Sequence, residues 1–138
     1  MESHEPTQAH DPSTPAYPAA HATNAGACAI ILKAFFQEAY VIPTPVQATA
    51  EGTAVESWEG PALTLGHEIS KLASNIALGR DAAGVHYRSD SRQGLLVGEE
   101  RAIGLLCDYS RTYHERFAGF VLTRFDGQKI TIMNGEVG

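Results

Sequence analysis

The sequence predicts a mainly α-helical protein: part of a helical bundle with about three main helices, followed by a short C-terminal β-hairpin. Three stretches with apolar residues at helical spacing predict the helices. Short alternating runs around an Asp-Gly turn near the C-terminus predict the hairpin. Because three helices and one hairpin make a thin core, we interpret the chain as a piece of a larger bundle.

The chain divides into a polar lead-in and a helical part. Residues 1–16 are rich in Pro, Ser, Thr and His without periodicity, which predicts an extended or disordered segment. The first helix is predicted from about Pro18, which suits a first helical turn, to Tyr40. Its apolar residues cover more than one face and are expected to be largely buried; they are Ala27, Ile30, Ile31, Leu32, Phe35 and Phe36.

Two further helices follow a long segment that is predicted to be a loop. Residues 41–63 contain three prolines and two glycines, and the next helix is predicted from about Leu65 to Leu78. After a break at 79–84, the third helix is predicted from near Ser89 to Glu115. The apolar stripes expected to be buried comprise Ile69, Leu72, Ala73 and Ile76 in the second helix, and Leu95, Ala102, Ile103, Leu106 and Tyr109 in the third.

The hairpin strands are predicted at 119–124 and 129–133, on either side of Asp126-Gly127. The two cysteines, Cys28 and Cys107, lie in apolar stretches, so we expect two buried free thiols, with a disulfide as the alternative.

Composition and charge restrict the possible partners. The chain has 138 residues, a formal net charge of −6 and a pI near 5.4, so we expect no binding to nucleic acid or to an anionic membrane. The N-terminus lacks a basic region followed by an apolar run, and no apolar stretch approaches the ~20 residues that span a bilayer. We therefore expect neither a signal peptide nor a transmembrane segment, and the compartment is left unassigned.

The first cluster with chemical potential lies at the predicted start of the first helix. The backbone N–H groups of Ala19, Ala20 and His21 fall in the first turn, where they lack intrahelical partners. These donors and the helix dipole favour an anion. His21 projects from the same turn, and histidine is the side chain most often used for proton transfer.

The second cluster lies between the second and third predicted helices. Arg80 supplies a planar fork that matches an oxyanion, and Gly84 offers a break that can bring His86 close to it. Asp90 follows His86 by four residues, so on a helix its carboxylate would orient the imidazole.

Each cluster also has a purely structural interpretation. His21 can be a solvent-facing residue beside a proline-capped helix. Arg80–Asp81 and Arg88–Asp90 can form ion pairs at helix ends.

Taken together, the two clusters resemble the signature of the type 2 phosphatidic-acid phosphatases and vanadium-dependent haloperoxidases, a Pro-Ser-Gly-His-like turn followed by Arg-x5-His-x3-Asp. Longer stretches resemble the C-terminal part of algal and cyanobacterial bromoperoxidases; they are 17–23, 26–36, 72–90 and the tail from 120. The resemblance covers nearly the whole chain from about Thr14. It implies that residues 17–138 are the C-terminal part of a haloperoxidase helical domain.

The resemblance also implies roles for individual residues. His86 would bond the vanadium of a vanadate cofactor, Arg80 and the backbone at Ala19 and Ala20 would hold vanadate oxygens, His21 would be the acid–base histidine, and Asp90 would orient His86. Hydrogen peroxide would then oxidise a halide, bromide first among them, to hypohalous acid that reacts with an organic substrate. Family members associate, so we expect a homo-oligomer.

The chain departs from the family pattern in ways that affect the pocket. Ala19-Ala20 replace the usual Ser-Gly, Gly79 replaces a serine, and Thr14 stands where the algal enzymes tend to have a histidine near the halide. The lost serine hydroxyl is expected to weaken vanadate binding by about 1.5–3 kcal/mol. The lysine and arginine of the family's first motif have no counterpart, because residues 1–17 contain no Lys or Arg.

Two alternatives to a working haloperoxidase follow. An acid phosphatase of the same superfamily would use His86 as the phosphoryl nucleophile, since vanadate and phosphate are nearly isosteric. The chain can also be an incomplete fragment that is inactive without the upstream Lys/Arg segment.

Overall fold

Three helices form the larger part of the fold in this computed structural model, which describes residues 17–138. The predicted lead-in at 1–16 lies outside the described residues. The elements in chain order are α1 (Ala20–Phe35), β1 (Val46–Ala48), β2 (Val55–Ser57), α2 (Leu65–Ala82), α3 (Arg88–Ser110), β3 (Phe120–Thr123), β4 (Lys129–Met133) and β5 (Glu136–Val137). Three helices and a C-terminal antiparallel sheet confirm the predicted fold class.

Helix α1 is shorter than predicted and buries small residues. It begins at Ala20 after the N-cap Ala19, so Pro18 precedes the helix, and it ends at Phe35. The prediction that its bulky apolar residues are buried is wrong for three of them: Leu32 is 38% exposed, Phe35 79% and Phe36 47%. The buried face of the helix is instead formed by Ala22, Ala25, Gly26, Ala29, Ile30 and Lys33.

Glycines bring α1 and α3 unusually close together. A Cβ added to Gly94 of α3 would lie 2.7 Å from the carbonyl oxygen of Ala19. A Cβ at Gly98 would overlap the carbonyl oxygen of Thr23, and one at Gly26 would overlap that of Leu95. Because contacts this short leave no room for a methyl group, the backbones of the two helices pack directly on each other.

Helix α2 runs antiparallel to α1. Ala77, in its C-terminal half, packs with Ala19 and Ala22, whereas the earlier Ile69 and Ala73 pack with residues 25 and 29 of α1. The predicted stripe is confirmed at Ile69 and Ala73 but is wrong at two positions, because Leu72 is 57% exposed and Ile76 is 41% exposed.

The C-terminal sheet closes the core between α1 and α3. Strand β3 pairs with β4 in antiparallel register, with Leu122 opposite Ile130, and β5 extends the predicted hairpin to three strands. The buried cluster here consists of Ile30, Ala102, Ile103, Leu106, Leu122, Ile130 and Ile132. Helix α3 ends at Ser110, before the predicted Glu115, and Tyr109 is 54% exposed rather than buried.

The predicted loop at 41–63 contains a small hairpin. Strands β1 and β2 pair antiparallel, with Gln47 opposite Glu56. Both cysteines are free, as expected, but Cys28 is exposed and only Cys107 is partly buried. Within residues 17–138, no helix combines the length and the apolar character that crossing a membrane requires.

Candidate oxyanion site

A tight turn joins α2 to α3 and carries the two most specific residues of the predicted site. Arg80 lies in the last turn of α2. Gly84 follows with φ of 71°, a conformation that glycine adopts without strain. The backbone N–H of Val85 then donates to the carbonyl oxygen of Arg80 at 3.3 Å, which reverses the chain and places His86 next to the start of α3.

His86 and Asp90 do face each other, although not on a shared helical face. His86 precedes the N-cap Tyr87, and Asp90 lies in the first turn of α3. His86 Nδ1 is 3.7 Å from Asp90 Oδ2, which is an ion-pair distance for a protonated histidine but too long for a hydrogen bond. Both side chains are largely buried, with exposed fractions of 12% and 9%.

The Asp90 carboxylate is held by its own turn. The backbone N–H of Tyr87 donates to Oδ2 and the Ser89 hydroxyl donates to Oδ1, each at 3.0 Å. These donors, the Tyr87 N–H foremost, and then the neighbouring His86 lower the pKa of Asp90 below its ordinary value, against the opposing effect of burial. The carboxylate is therefore ionised and fixed in orientation beside the imidazole.

The first turn of α1 reaches this group through Ala19. Its backbone N–H donates to the carbonyl oxygen of Asp90 at 3.1 Å, so the free donor expected at Ala19 is already used within the protein. Ala20 and His21 come before Thr23, which makes the first i→i−4 bond of the helix, to Ala19. Their N–H groups thus keep the orientation of first-turn donors, and the His21 side chain is exposed.

Asp81 and Ser91, neither of which the sequence interpretation placed in the site, join the end of α2 to the start of α3. The buried Ser91 hydroxyl donates to Asp81 Oδ1 at 2.6 Å and lies 3.2 Å from the carbonyl oxygen of Ala77. This contact ties the end of α2 to the start of α3. Nothing in the spacing of Asp81 and Ser91 distinguishes them from other exposed polar pairs, so only the folded turn reveals it.

Three polar atoms at this corner are buried without a hydrogen-bond partner among the described residues: Arg80 Nε, Asp81 Oδ2 and His86 Nδ1. The helix-end ion pairs Arg80–Asp81 and Arg88–Asp90, considered above as the structural alternative, do not form within that part of the chain. Buried polar atoms are rarely left unpaired in proteins, so these atoms indicate a missing binding partner.

Within residues 17–138, no group of three or more His, Cys, Asp or Glu side chains is arranged to hold a metal ion. The donors that are present fit an oxyanion: a guanidinium, an imidazole nitrogen and the first-turn N–H groups of a helix. A tetrahedral oxyanion such as vanadate or phosphate matches this donor set.

A second polar cluster, which the sequence interpretation also missed, lies at the other end of α1. Lys33 is 3% exposed, donates to the carbonyl oxygen of Thr123 at 2.8 Å and lies 5.1 Å from the centre of the Phe125 ring. Glu99 is 1% exposed and accepts from the backbone N–H of Phe125 at 2.6 Å and from Arg124 at 3.4 Å. Both groups pair with the segment 123–125 and thereby attach the C-terminal sheet to the helices.

The chain was compared with known families and proteins. The VCPO second helical-bundle domain matches residues 1–113. The vanadium-dependent bromoperoxidase of Corallina pilulifera is 47% identical over 122 residues, which are 88% of this chain and 20% of that protein. The Corallina officinalis enzyme of the same name is 46% identical over an equally long stretch. The Ascophyllum nodosum enzyme of that name is 37% identical over 135 residues, which are 91% of this chain and 24% of that protein.

The chain thus spans about a fifth to a quarter of the length of the relatives it matches. The match extends from the first cluster through the second and includes the helices that carry both. The chain therefore belongs to the vanadium-dependent haloperoxidase family, which it matches through the second helical-bundle domain.

Proposed function

We propose that this chain forms part of the active site of a vanadium-dependent haloperoxidase, which oxidises a halide, bromide first among them, with hydrogen peroxide. The observation that carries the proposal is the Arg80 guanidinium, whose buried Nε has no hydrogen-bond partner within the described part of the chain and which lies at the end of the turn that leads to His86. The names of the relatives support halide oxidation over phosphate-ester hydrolysis.

His86 is the residue we assign to the metal. Asp90 faces Nδ1 of its ring at 3.7 Å, which favours a proton on that nitrogen and leaves Nε2 with the lone pair that bonds a metal. The Tyr87 N–H and the Ser89 hydroxyl fix the carboxylate, so the imidazole is oriented before any ligand arrives.

Arg80 is the residue we assign to the vanadate oxygens. Its guanidinium carries a positive charge and presents its donors in one plane, so it matches the oxygens of an oxyanion. The N–H groups of Ala20 and His21 add the partial positive charge of a helix N-terminus on the α1 side. We assign the backbone of Ala19 a positioning role, since its N–H bonds Asp90 and thereby fixes α1 against α3.

His21 is the residue we assign to proton transfer. It lies in the first turn of α1 and its side chain is exposed, so it can exchange protons with water and with a bound oxygen. Vanadate, when bound, supplies the Lewis acid that polarises peroxide toward attack by halide. We also propose that the functional protein is a homo-oligomer whose organic substrate receives the oxidised halogen.

Vanadate retention provides the first test. The chain is incubated with vanadate and desalted, and the vanadium that remains bound is measured by elemental analysis. We expect the wild type and His67→Ala, an exposed histidine on α2, to retain vanadium, and His86→Ala and Arg80→Ala to lose it. Equal retention by all four proteins would refute the assigned site.

An activity assay distinguishes the two reactions of the superfamily, halide oxidation and phosphate-ester hydrolysis. Bromide-dependent consumption of hydrogen peroxide that requires vanadate is the expected result. Release of phosphate from a phosphomonoester without vanadate, and without bromide oxidation, would assign the pocket to an acid phosphatase.

A further inference from the structure

A side-chain hydrogen bond closes the corner that carries the oxyanion site. Asp81 follows Arg80 at the end of α2, and Ser91 follows Asp90 at the start of α3. The Ser91 hydroxyl is 3% exposed and donates to Asp81 Oδ1 at 2.6 Å. This distance is typical of a hydrogen bond from a hydroxyl to an ionised carboxylate, which is stronger than a bond between neutral groups. The bond thus joins the chain neighbours of two residues of the site, one on each side of the turn.

Ser91 provides the hydrogen bonds that join α2 to α3 within the described part of the chain. Its hydroxyl contacts Asp81 and also lies 3.2 Å from the carbonyl oxygen of Ala77, both on α2. The turn itself is held by local bonds, such as that from the Gly84 N–H to the carbonyl oxygen of Asp81 at 3.0 Å. Leu95 of α3 packs against the cluster that contains Ala77, but an apolar contact has no preferred direction. The Ser91 hydroxyl is therefore the directional contact between the two helix ends.

The geometry of the oxyanion site depends on how these helix ends are set. Arg80 belongs to α2, whereas His86 directly precedes α3 and faces Asp90 in its first turn. Arg80 Nε is buried without a hydrogen-bond partner among the described residues, so no bond at that nitrogen holds the guanidinium in place. The position of the guanidinium relative to the imidazole is thus set by the backbones of α2 and α3. Binding groups work together only when such positions are held within about 0.5 Å.

Asp81 affects an anion at this corner in two opposite ways. Its carboxylate places a negative charge next to Arg80 in the chain, which disfavours an oxyanion there. The hydrogen bond that its Oδ1 accepts holds the two helix ends in register. The two effects can be separated, because an asparagine removes the charge and retains an oxygen acceptor, whereas an alanine removes both.

We propose that Asp81 and Ser91 are positioning residues of the oxyanion site. The hydrogen bond between them sets the Arg80 guanidinium relative to His86, and thereby the affinity for vanadate. Both residues act through their chain neighbours and not by contacting the anion. The identity of the anion rests on the proposed function, whereas the geometry does not. Loss of a residue that orients the ligands of a metal typically lowers the affinity by about 10- to 100-fold.

Two buried serines of α3 give a matched pair for the test. Ser110 is 2% exposed, and its hydroxyl donates to the carbonyl oxygen of Cys107 at 2.8 Å and accepts from the Gly135 N–H at 2.7 Å. Ser91→Ala and Ser110→Ala therefore each remove one buried hydroxyl that joins α3 to another segment, at opposite ends of the helix. The dissociation constant for vanadate is measured by equilibrium dialysis, with elemental analysis of the bound vanadium.

The two serine variants are expected to differ in affinity. Ser91→Ala should weaken vanadate binding by about 10-fold or more, whereas Ser110→Ala should leave it unchanged, because only Ser91 lies at the corner. Urea unfolding of each variant ensures that folded proteins are compared. Wild-type affinity in Ser91→Ala, or an equal loss of affinity in both variants, would overturn the proposal.

Substitutions of Asp81 isolate the hydrogen bond from the charge, and they decide the question where Ser91→Ala does not fold. We expect Asp81→Ala to bind vanadate about 10-fold more weakly than Asp81→Asn, because the two variants have the same charge and differ in the acceptor for Ser91. Adding Ser91→Ala to Asp81→Ala should cause no further loss, since both substitutions remove the same bond. Equal affinities of Asp81→Asn and Asp81→Ala would overturn the proposal.

Hydrogen exchange of the Val85 amide reports the geometry without any ligand. Its N–H donates to the carbonyl oxygen of Arg80 at 3.3 Å, so it exchanges when the corner opens. NMR should show faster exchange in Ser91→Ala and Asp81→Ala but not in Ser110→Ala. This result in a chain that binds no vanadate would support the geometry and refute the proposed function. Vanadate bound equally by all variants, with unchanged exchange at Val85, would overturn the positioning roles and leave the proposed function intact.

Discussion

The backbone N–H of Ala19 donates to the carbonyl oxygen of Asp90 at 3.1 Å, across the contact between α1 and α3. This hydrogen bond places the turn that carries His21 against the turn that orients His86. It forms only because Gly94 lets the two backbones approach, since a Cβ there would lie 2.7 Å from both the carbonyl oxygen and the Cβ atom of the α1 residues it faces, Ala19 and Ala22.

Gly94→Ala is therefore expected to destabilise the chain by about 1–3 kcal/mol, the range for overpacking a close contact. Gly104→Ala is the matched control on the same helix, because nothing lies within 4 Å of an added Cβ there. The control should stabilise the chain by about 0.5–1 kcal/mol through helix propensity. Urea unfolding measures both, and equal effects of the two substitutions would contradict the close packing described above.

The turn at Gly84 gives a second pair of substitutions. Gly84→Ala places an alanine at φ of 71° and is expected to cost about 1–2 kcal/mol, although its Cβ would meet nothing within 4 Å. Gly79→Ala, in open space within the last turns of α2, should be neutral or stabilising. Vanadium retention should fall only in the first variant, because the left-handed turn sets His86 relative to Arg80. Unchanged retention by Gly84→Ala would show that the turn does not set that geometry.

Buried Glu99, beneath the C-terminal sheet, is expected to contribute more to the stability of the fold than its exposed neighbour Glu100. Glu99→Ala leaves the Phe125 N–H without its acceptor, breaks the ion pair with Arg124 and removes a negative charge near the buried Lys33. It should cost about 3–5 kcal/mol, the range for removing one partner from a buried ion pair. Glu100→Ala removes an exposed ion pair with Arg124 and should change stability by less than about 1 kcal/mol. Thermal unfolding of the two variants distinguishes them, and similar midpoints would rule out a structural role for the burial of Glu99.

Because Lys33 is buried, we expect the free energy of unfolding to depend on pH in the alkaline range. Burial lowers its pKa below 10.5, while Glu38 and Glu99 oppose that shift. Between the folded pKa and 10.5 the unfolded chain binds more protons than the folded chain, so the contribution of Lys33 to stability rises with pH over that interval and is constant below it.

Lys33→Met should remove this rise, whereas Lys71→Met, which changes an exposed lysine, should retain it. The measurement is the free energy of unfolding in urea, taken in pH steps up to 10.5. Parallel curves for the wild type and Lys33→Met would contradict the assignment.

The sequence pattern predicted the elements well, because periodicity reports which residues can share a face. The same reasoning wrongly predicted that Leu32 and Leu72 are buried. An apolar stripe has the same spacing whether or not another element covers it. The close backbone approach between the first half of α1 and α3 had no such signal. It depends on Gly26 and Gly98, which bury backbone rather than side chain.

The site was predictable in part. The spacing of His86 and Asp90 predicted that they would meet, but the cause is the reversed chain before α3 and not a shared helical face. The hydrogen bond between Asp81 and Ser91 crosses the Gly84 turn, so no local sequence pattern predicts it. The pairing of Lys33 with Thr123 joins residues that are 90 positions apart, which only the packed fold brings together.

Helix α1 thus carries His21 near its N-terminus and, near its C-terminus, Lys33, which attaches the helix to the C-terminal sheet. His21 lies about 18 Å along the helix axis from Lys33, whose side chain is attached to β3. Close contacts at Gly26, Gly94 and Gly98 restrict sliding of α1 against α3, so we expect the helix to move as a rigid body. Trimming the C-terminal sheet, or fusing a tag to it, is therefore expected to disturb the position of His21, the residue proposed for proton transfer, at the far end of the helix.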